Sequence, residues 1–274
     1  MTEFRGNLGN YKLIKTEDNT ETVWSEYFDE ACHNLSGAYE ETIYNYINGC
    51  HIPELLNQKD NTSILDVGFG VGIGLKALTD QIKISDNPNA VVSYYSIELD
   101  EILLQWALKT TLPELKLERF EQIIGTEKLV YFGGQYKGFS NENVSHNKLL
   151  EVKIFVGDGR LTLPLASKSG LINKLDAIFQ DAFSPKKNPD LWSVEWFLFL
   201  KTISFESVEL STYSSSVSIR KSLLAANWII ANDRGFAHKK SMTKAKLTGE
   251  TSEKLLLQMN RSPSIEIRDK CIKL

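Results

Sequence analysis

A chain of 274 residues, 42% hydrophobic and 24% charged, can bury a full core and has little room for long disorder. Its net charge of −4 excludes a protein that holds nucleic acid through a uniformly positive surface, although local basic patches stay compatible. Cys32, Cys50 and Cys271 are odd in number, widely spaced and without a CxxC pair, so neither a disulfide framework nor a metal site is expected. The opening Met-Thr-Glu-Phe-Arg-Gly-Asn has no basic stretch leading into an apolar one, and no run approaches the ~18 apolar residues of a membrane span. A cytoplasmic protein without membrane association is expected.

In chain order, residues 1–60 read as an N-terminal extension on the substrate side. It is polar at first, then aromatic and acidic, with Tyr39, Ile43, Tyr46 and Ile47 spaced as one apolar face of a helix from Gly37 to Cys50. Ser63-Ile64-Leu65-Asp66-Val67 is a short buried strand ended by glycines, and a helix opens at Gly74. Val91 to Leu99 is a second strand, followed by a helix from Ile102 to Leu108. Residues 119–150 break the rhythm with Gly133-Gly134, Gly138 and a polar stretch, as an inserted hairpin or loop would. Strands follow at Val152–Val156, Leu175–Phe179 and Val208–Tyr213; Ser218–Ala226 is helical, Trp228-Ile229-Ile230 opens a sixth strand, and the lysine-rich tract Ser241–Leu247 supplies an antiparallel seventh. Pro189 and Asp190 are placed as the start and cap of a helix. The whole, 1–274, is read as one domain whose core spans 61–274. Strands alternating with helices and ending in an antiparallel pair predict a class I S-adenosylmethionine-dependent methyltransferase fold, a Rossmann-like, mostly parallel seven-stranded sheet, rather than a two-lobed dehydrogenase.

The turn Gly68-Phe69-Gly70-Val71-Gly72 lets backbone N–H groups and a helix N-terminus approach an anionic ligand end without an intervening Cβ. Asp66 before it would repel pyrophosphate but could hold an α-ammonium group, which favours S-adenosylmethionine over a dinucleotide. Glu98, ending the second strand, can accept both ribose hydroxyls, and Asp158-Gly159 offers an acid at adenine height or an ordinary turn. Asp181, ending the fourth parallel strand, faces the transferred methyl. The basic run Arg234, Lys239 and Lys240 reads either as a phosphate contact or as a lysine-protected strand edge, while Phe183 or Trp192 could pack on a flipped base or simply belong to the core.

Asp181-Ala182-Phe183-Ser184-Pro185 with Lys187-Asn188-Pro189-Asp190-Leu191-Trp192 resembles the DGFxPxKNPDxW signature of the methyltransferase half of the bifunctional MnmC family. Tyr27-Phe28 with Gly37 and Glu40-Glu41-Thr42, the glycine turn, and Arg234-Gly235-Phe236 through Lys240-Ser241-Met242 resemble three further elements of that family in the same order, over residues 24 to 245. The resemblance implies methylation of the 5-aminomethyl group on tRNA wobble uridine 34 by S-adenosylmethionine, with Tyr27, Glu40, Phe183 and Lys187 on the substrate side and the anticodon arm as partner. It departs at Ala182, where the family has Gly, at Cys50, where it often has Asn, and at Ser204-Phe205, where a proline-glycine turn is missing. No counterpart of the flavin half is expected, so a separate oxidoreductase or other enzyme would supply the aminomethyl substrate. Methylation of another RNA site or of a small free amine, and non-catalytic cofactor binding, are the competing functions.

Overall fold

The first parallel strand is buried on both faces, and its sequence says why: Ser63-Ile64-Leu65-Asp66-Val67 has no solvent-facing alternation, the mark of a central parallel strand. The computed structural model describes residues 3–139, 147–237 and 241–269. The chain begins with four short antiparallel strands, β1 (Glu3–Arg5), β2 (Asn10–Lys15), β3 (Glu21–Ser25) and β4 (Glu30–Ala31), which form a sheet of their own. It continues through α1 (Ala38–Thr42), a π-helical turn Ile43–Ile47, α2 (Ile52–Gln58), β5 (Asn61–Val67), α3 (Ile73–Ile84), β6 (Val91–Glu98) and α4 (Glu101–Thr110). Then come β7 (Glu118–Ile124), β8 (Glu127–Tyr136), β9 (Leu149–Val156), α5 (Gly159–Lys168), β10 (Leu175–Gln180), a 3₁₀ turn Asp190–Trp192 and α6 (Val194–Thr202). The described chain closes with β11 (Ser204–Thr212), α7 (Val217–Ala225), β12 (Ile229–Asp233), β13 (Met242–Lys246) and α8 (Glu253–Asn260).

The large sheet has the order β12-β13-β11-β10-β5-β6-β9-β8-β7. Its central five strands, β11-β10-β5-β6-β9, are parallel, and β13 lies antiparallel between β11 and β12. These seven are the strands expected from sequence, and together they make the class I S-adenosylmethionine-dependent methyltransferase fold. Residues 118–136 of the expected insertion form a hairpin that pairs β8 with β9 and extends the sheet to nine strands. Residues 140–146 of that insertion lie outside the described chain. One face of the sheet buries Trp192, Trp196 and Trp228 beneath α5 to α8; the other buries Tyr46, Tyr94 and Phe179 beneath α2, α3 and α4. Strand order reverses at β5, which lies between β6 and β10, so a crevice opens at the carboxyl ends of these strands.

The N-terminal sheet is a correction to the sequence reading, which placed no strands before Ser63. Its strands are only 2 to 6 residues long, too short for alternation to stand out. Tyr11 and Val23 bury themselves against Val71, Ile73 and Leu103, where α3 and α4 begin, and Phe4 stacks between Tyr11 and Trp106 at 5.2 and 5.0 Å. Asp100 fastens the arrangement. One oxygen caps α4 through the N–H groups of Ile102 and Leu103, and the other accepts from Leu8 N–H at 2.9 Å and the Tyr11 hydroxyl at 3.1 Å. The small sheet is thereby held over the crevice. A second correction concerns α6: Pro189 and Asp190 open the 3₁₀ turn, and the helix is capped by the Ser193 hydroxyl, which accepts from Trp196 N–H at 3.2 Å.

Candidate active site

Two cavities of about 370 Å³ each open at the carboxyl ends of the parallel strands and share the wall Cys32, His33, Asp181, Ala182 and Phe183. The first runs along Gly68 and Gly70, Glu98, and Gly157 to Arg160, under Tyr27 and Phe28. The second lies on the other side of Asp181, between Glu30, Glu41, Ser184 and Tyr213.

The glycine turn is built for close approach. Gly68, Gly70 and Gly72 all have positive φ, at 107°, 53° and 82°, and a Cβ on Gly68 would lie 3.1 Å from the Asp181 carbonyl oxygen. The turn and the end of β10 therefore meet only because residue 68 has no side chain. Glu98 reaches back to this turn, accepting from Gly70 N–H and Asp100 N–H at 2.9 Å each, one bond per oxygen. A carboxylate oxygen has a second acceptor site, so both remain able to receive a hydroxyl. Burial pushes the Glu98 carboxyl up to about 7 against the opposing pull of those backbone donors. Apolar Ile97, Leu99 and Leu191 complete a slot with a diol acceptor in the middle and the glycine turn at one end. These residues fit an adenosyl amino acid.

Three expected cofactor residues stand elsewhere. Asp66 is buried behind the turn, where it accepts from the Tyr94 hydroxyl at 2.6 Å and presses against Gly74, whose position admits no Cβ. Burial raises its carboxyl to about 7, and it does not line either cavity. Phe69 turns its ring into the core, and Gly72 caps α3 rather than facing the cavity. Asp158 and Gly159 do line the first cavity, yet the Asp158 carboxylate is already engaged by Arg160 and caps α5.

Asp181 lies in both cavity walls. Tyr46, carried on the π-helical turn, donates its hydroxyl to Asp181 Oδ1 at 2.5 Å, and the Tyr213 hydroxyl donates to the adjacent Ala182 carbonyl at 3.0 Å. Burial first, and then Asp181, hold the Tyr46 phenol far above its ordinary range, so it stays a donor. Helical spacing marks Tyr46 as core, which it also is; only the fold reveals that its polar end reaches β10. Tyr46→Phe removes one buried hydrogen bond, about 1 kcal/mol of stability. It is expected to lower turnover about tenfold with little change in cofactor affinity, checked by steady-state kinetics and calorimetry.

Among the described residues the second cavity carries Glu30, Glu41 and Asp181. Burial, followed by Glu98, Asp181 and Glu30, drives the Cys32 thiol well above its ordinary value. His33 is neutral, pulled down to about 4 by burial, with Nδ1 2.8 Å from the Thr22 hydroxyl. Glu40 is exposed and lines neither cavity; its neighbour Glu41 is the buried one. Tyr27 is exposed at the first cavity's rim, packing edge-on against Phe28, which stacks on Phe183 at 4.1 Å. Lys187 pairs with Asp29 at 3.0 Å across the same rim. Trp192 is fully buried and donates to the Phe183 carbonyl, so it cannot receive a base. Arg234 is exposed and lines neither cavity, its carbonyl accepting from the Tyr44 hydroxyl; Lys239 and Lys240 lie outside the described residues.

Residues 130–248 match a family described as S-adenosyl-L-methionine-dependent methyltransferase. The chain is 28% identical over 237 residues to an uncharacterized protein of Methanocaldococcus jannaschii, covering 85% of this chain and 58% of that one. It is 28% identical over 240 residues to the tRNA 5-methylaminomethyl-2-thiouridine biosynthesis bifunctional protein MnmC of Leptospira borgpetersenii, covering 86% of this chain and 35% of the relative. Thus it spans about a third of that bifunctional protein. The crystal structure of MnmC2 from Aquifex aeolicus superposes with a TM-score of 0.68 at 25% identity, over 96% of this chain and 80% of that one.

Proposed function

We propose that this chain, an S-adenosyl-L-methionine-dependent methyltransferase homologous to the methyltransferase half of MnmC, methylates the 5-aminomethyl group of tRNA wobble uridine 34, giving 5-methylaminomethyl-2-thiouridine. The observation that carries the reading is the shared wall: a cavity suited to the methyl donor and a second cavity open to an acceptor meet at Asp181. S-adenosyl-L-methionine, when bound, supplies a methyl group on a sulfonium. Gly68 and Gly70 would take its amino acid end and Glu98 its ribose. Asp66, which stands behind the turn, serves to seat the start of α3.

Methyl transfer needs a neutral amine with its lone pair in line. An alkylammonium titrates near ~10 and an aspartate near ~4, so Asp181 is a poor base for it. Its role is to hold an amine N–H and to stabilise the positive charge that grows on nitrogen as the N–C bond forms and the C–S pair leaves with sulfur. Tyr46 fixes the carboxylate for that task. Glu30 and Glu41 line the same cavity, where their side chains also accept from the Ser184 and Asn34 N–H groups.

The wobble base would enter beside Phe183. Arg234, Lys239 and Lys240 would meet anticodon-arm phosphates, and binding should weaken with salt accordingly. The reaction is placed in the cytoplasm, with a separate enzyme supplying the aminomethyl group. Incubation with labelled S-adenosyl-L-methionine and tRNA bearing 5-aminomethyluridine, followed by digestion to nucleosides, is expected to place the label in the wobble nucleoside. Label appearing only in small amines, or in another nucleoside, would replace this acceptor; tight cofactor binding with no acceptor labelled would favour a non-catalytic role.

A further inference from the structure

Arg160 stands in the wall of the donor cavity beside Asp158 and Gly159, and nothing in the sequence pattern singles it out. All three of its guanidinium nitrogens are tied to carboxylates. Nε and Nη2 donate to Asp158 at 3.0 and 2.6 Å, and Nη1 meets Asp269 at 2.7 Å and Asp190 at 3.2 Å. The three acids come from separate stretches of chain: the cap of α5, the 3₁₀ turn after the Asp181 loop, and the C-terminal segment. That last segment is itself secured, since Asp269 is buried, its N–H donates to Glu195 at 2.8 Å, and Ile267 accepts from Val194 N–H at 2.9 Å.

With each guanidinium nitrogen held by a carboxylate the group is fixed in one plane, and it has no acceptor atoms. Such a frame sets the orientation of its planar face. A delocalised planar cation stacks on flat aromatic rings in a way an ammonium cannot. With Glu98 at the ribose, the next group along the wall, at the end of β9, would lie nearest the purine. We infer that Arg160 is a cofactor-binding residue that lays its guanidinium face on the adenine, and that Asp158, Asp190 and Asp269 are the frame that sets its plane. This rests on S-adenosyl-L-methionine occupying the first cavity. It also reassigns Asp158, whose carboxylate orients the stacking group instead of reading the adenine edge.

The test is calorimetric titration of S-adenosylhomocysteine into the purified wild-type chain, Arg160→Lys and Arg160→Gln, with the melting temperature of each ligand-free protein recorded alongside. Lysine keeps a cation among the three acids but has no plane; glutamine keeps a small planar amide without charge. Loss of the stack is expected to weaken Arg160→Lys binding about tenfold, at least as much as Arg160→Gln, and beyond what any fall in melting temperature accounts for. Binding of Arg160→Lys within twofold of wild type would overturn the inference, because charge alone would then suffice. Affinity losses that merely follow the melting temperatures in both variants would overturn it too, leaving Arg160 a structural tie. A wild-type chain that fails to bind S-adenosylhomocysteine is a different result: it removes the cofactor reading itself, and the stacking role with it.

Discussion

Asp181→Asn is expected to lower methyl transfer by about 100-fold or more while leaving S-adenosyl-L-methionine affinity within about threefold of wild type. The asymmetry follows from where the side chain stands. Asp181 belongs to both cavity walls, but the groups suited to the cofactor's amino acid and ribose ends are the Gly68–Gly70 backbone and Glu98. Asparagine keeps the size and can still accept from Tyr46. It removes the negative charge opposite a nitrogen that becomes positive in the transition state, an interaction stronger there than in the ground state. Single-turnover rates at saturating tRNA, set beside calorimetric binding constants, separate the two effects. Equal losses in rate and affinity would reject the role given to Asp181.

Glu98 governs a second large effect, and its sign is fixed by its titration. Burial raises the ligand-free carboxyl to about 7, yet two ribose hydroxyls are best received by the ionised form. Cofactor affinity is therefore expected to be level above pH 7 and to fall as pH drops below it, by up to about tenfold per unit. Glu98→Gln should bind about 10- to 100-fold more weakly at pH 8 and lose that pH dependence. Stability runs in the opposite direction. Both Glu98 and Asp66 have folded-state values near 7, above those of an unfolded chain near ~4. The stability they contribute is fully present below pH 4 and is lost as pH rises through 7, each costing at most about 4 kcal/mol on the alkaline side. In this respect the ligand-free protein should melt lower at pH 8 than at pH 5.5, and Glu98→Gln should flatten that slope. A wild-type melting temperature that rises across this range, with no change of slope in the variant, would contradict the assignment.

The parallel core was legible because its strands obey simple rules. Val91–Glu98 and Leu175–Gln180 are mostly apolar or aromatic, each is followed by a polar turn, and both landed within a residue or two of their expected ends. The glycine turn was legible for a similar reason: positive φ at Gly68, Gly70 and Gly72 is written directly as glycine. Tertiary contacts were not. Nothing in the spacing of Glu40 and Glu41 tells which faces the cavity, because that depends on how α1 leans on α3. Asp66 looked like a ligand group on charge alone, whereas the fold gives it Tyr94 and the first turn of α3. Tyr46 and Arg160 were hidden by their ordinary roles, an aromatic on a core stripe and a basic residue after a helix cap. Each acquires chemistry only through partners far away in the chain, Asp181 for one and Asp269 for the other.

The central claim is that donor and acceptor occupy adjoining cavities at the same time, with Asp181 between them. A compound joining the 5-aminomethyl nitrogen of uridine through a short carbon link to a 5′-amino-adenosine in place of the sulfonium would fill both cavities at once. Measured by calorimetry, it should bind about 100-fold more tightly than S-adenosylhomocysteine, and most of that advantage should vanish in Asp181→Asn. Binding no tighter than S-adenosylhomocysteine, or an advantage untouched by Asp181→Asn, would show that the two cavities do not meet where this account places the reaction.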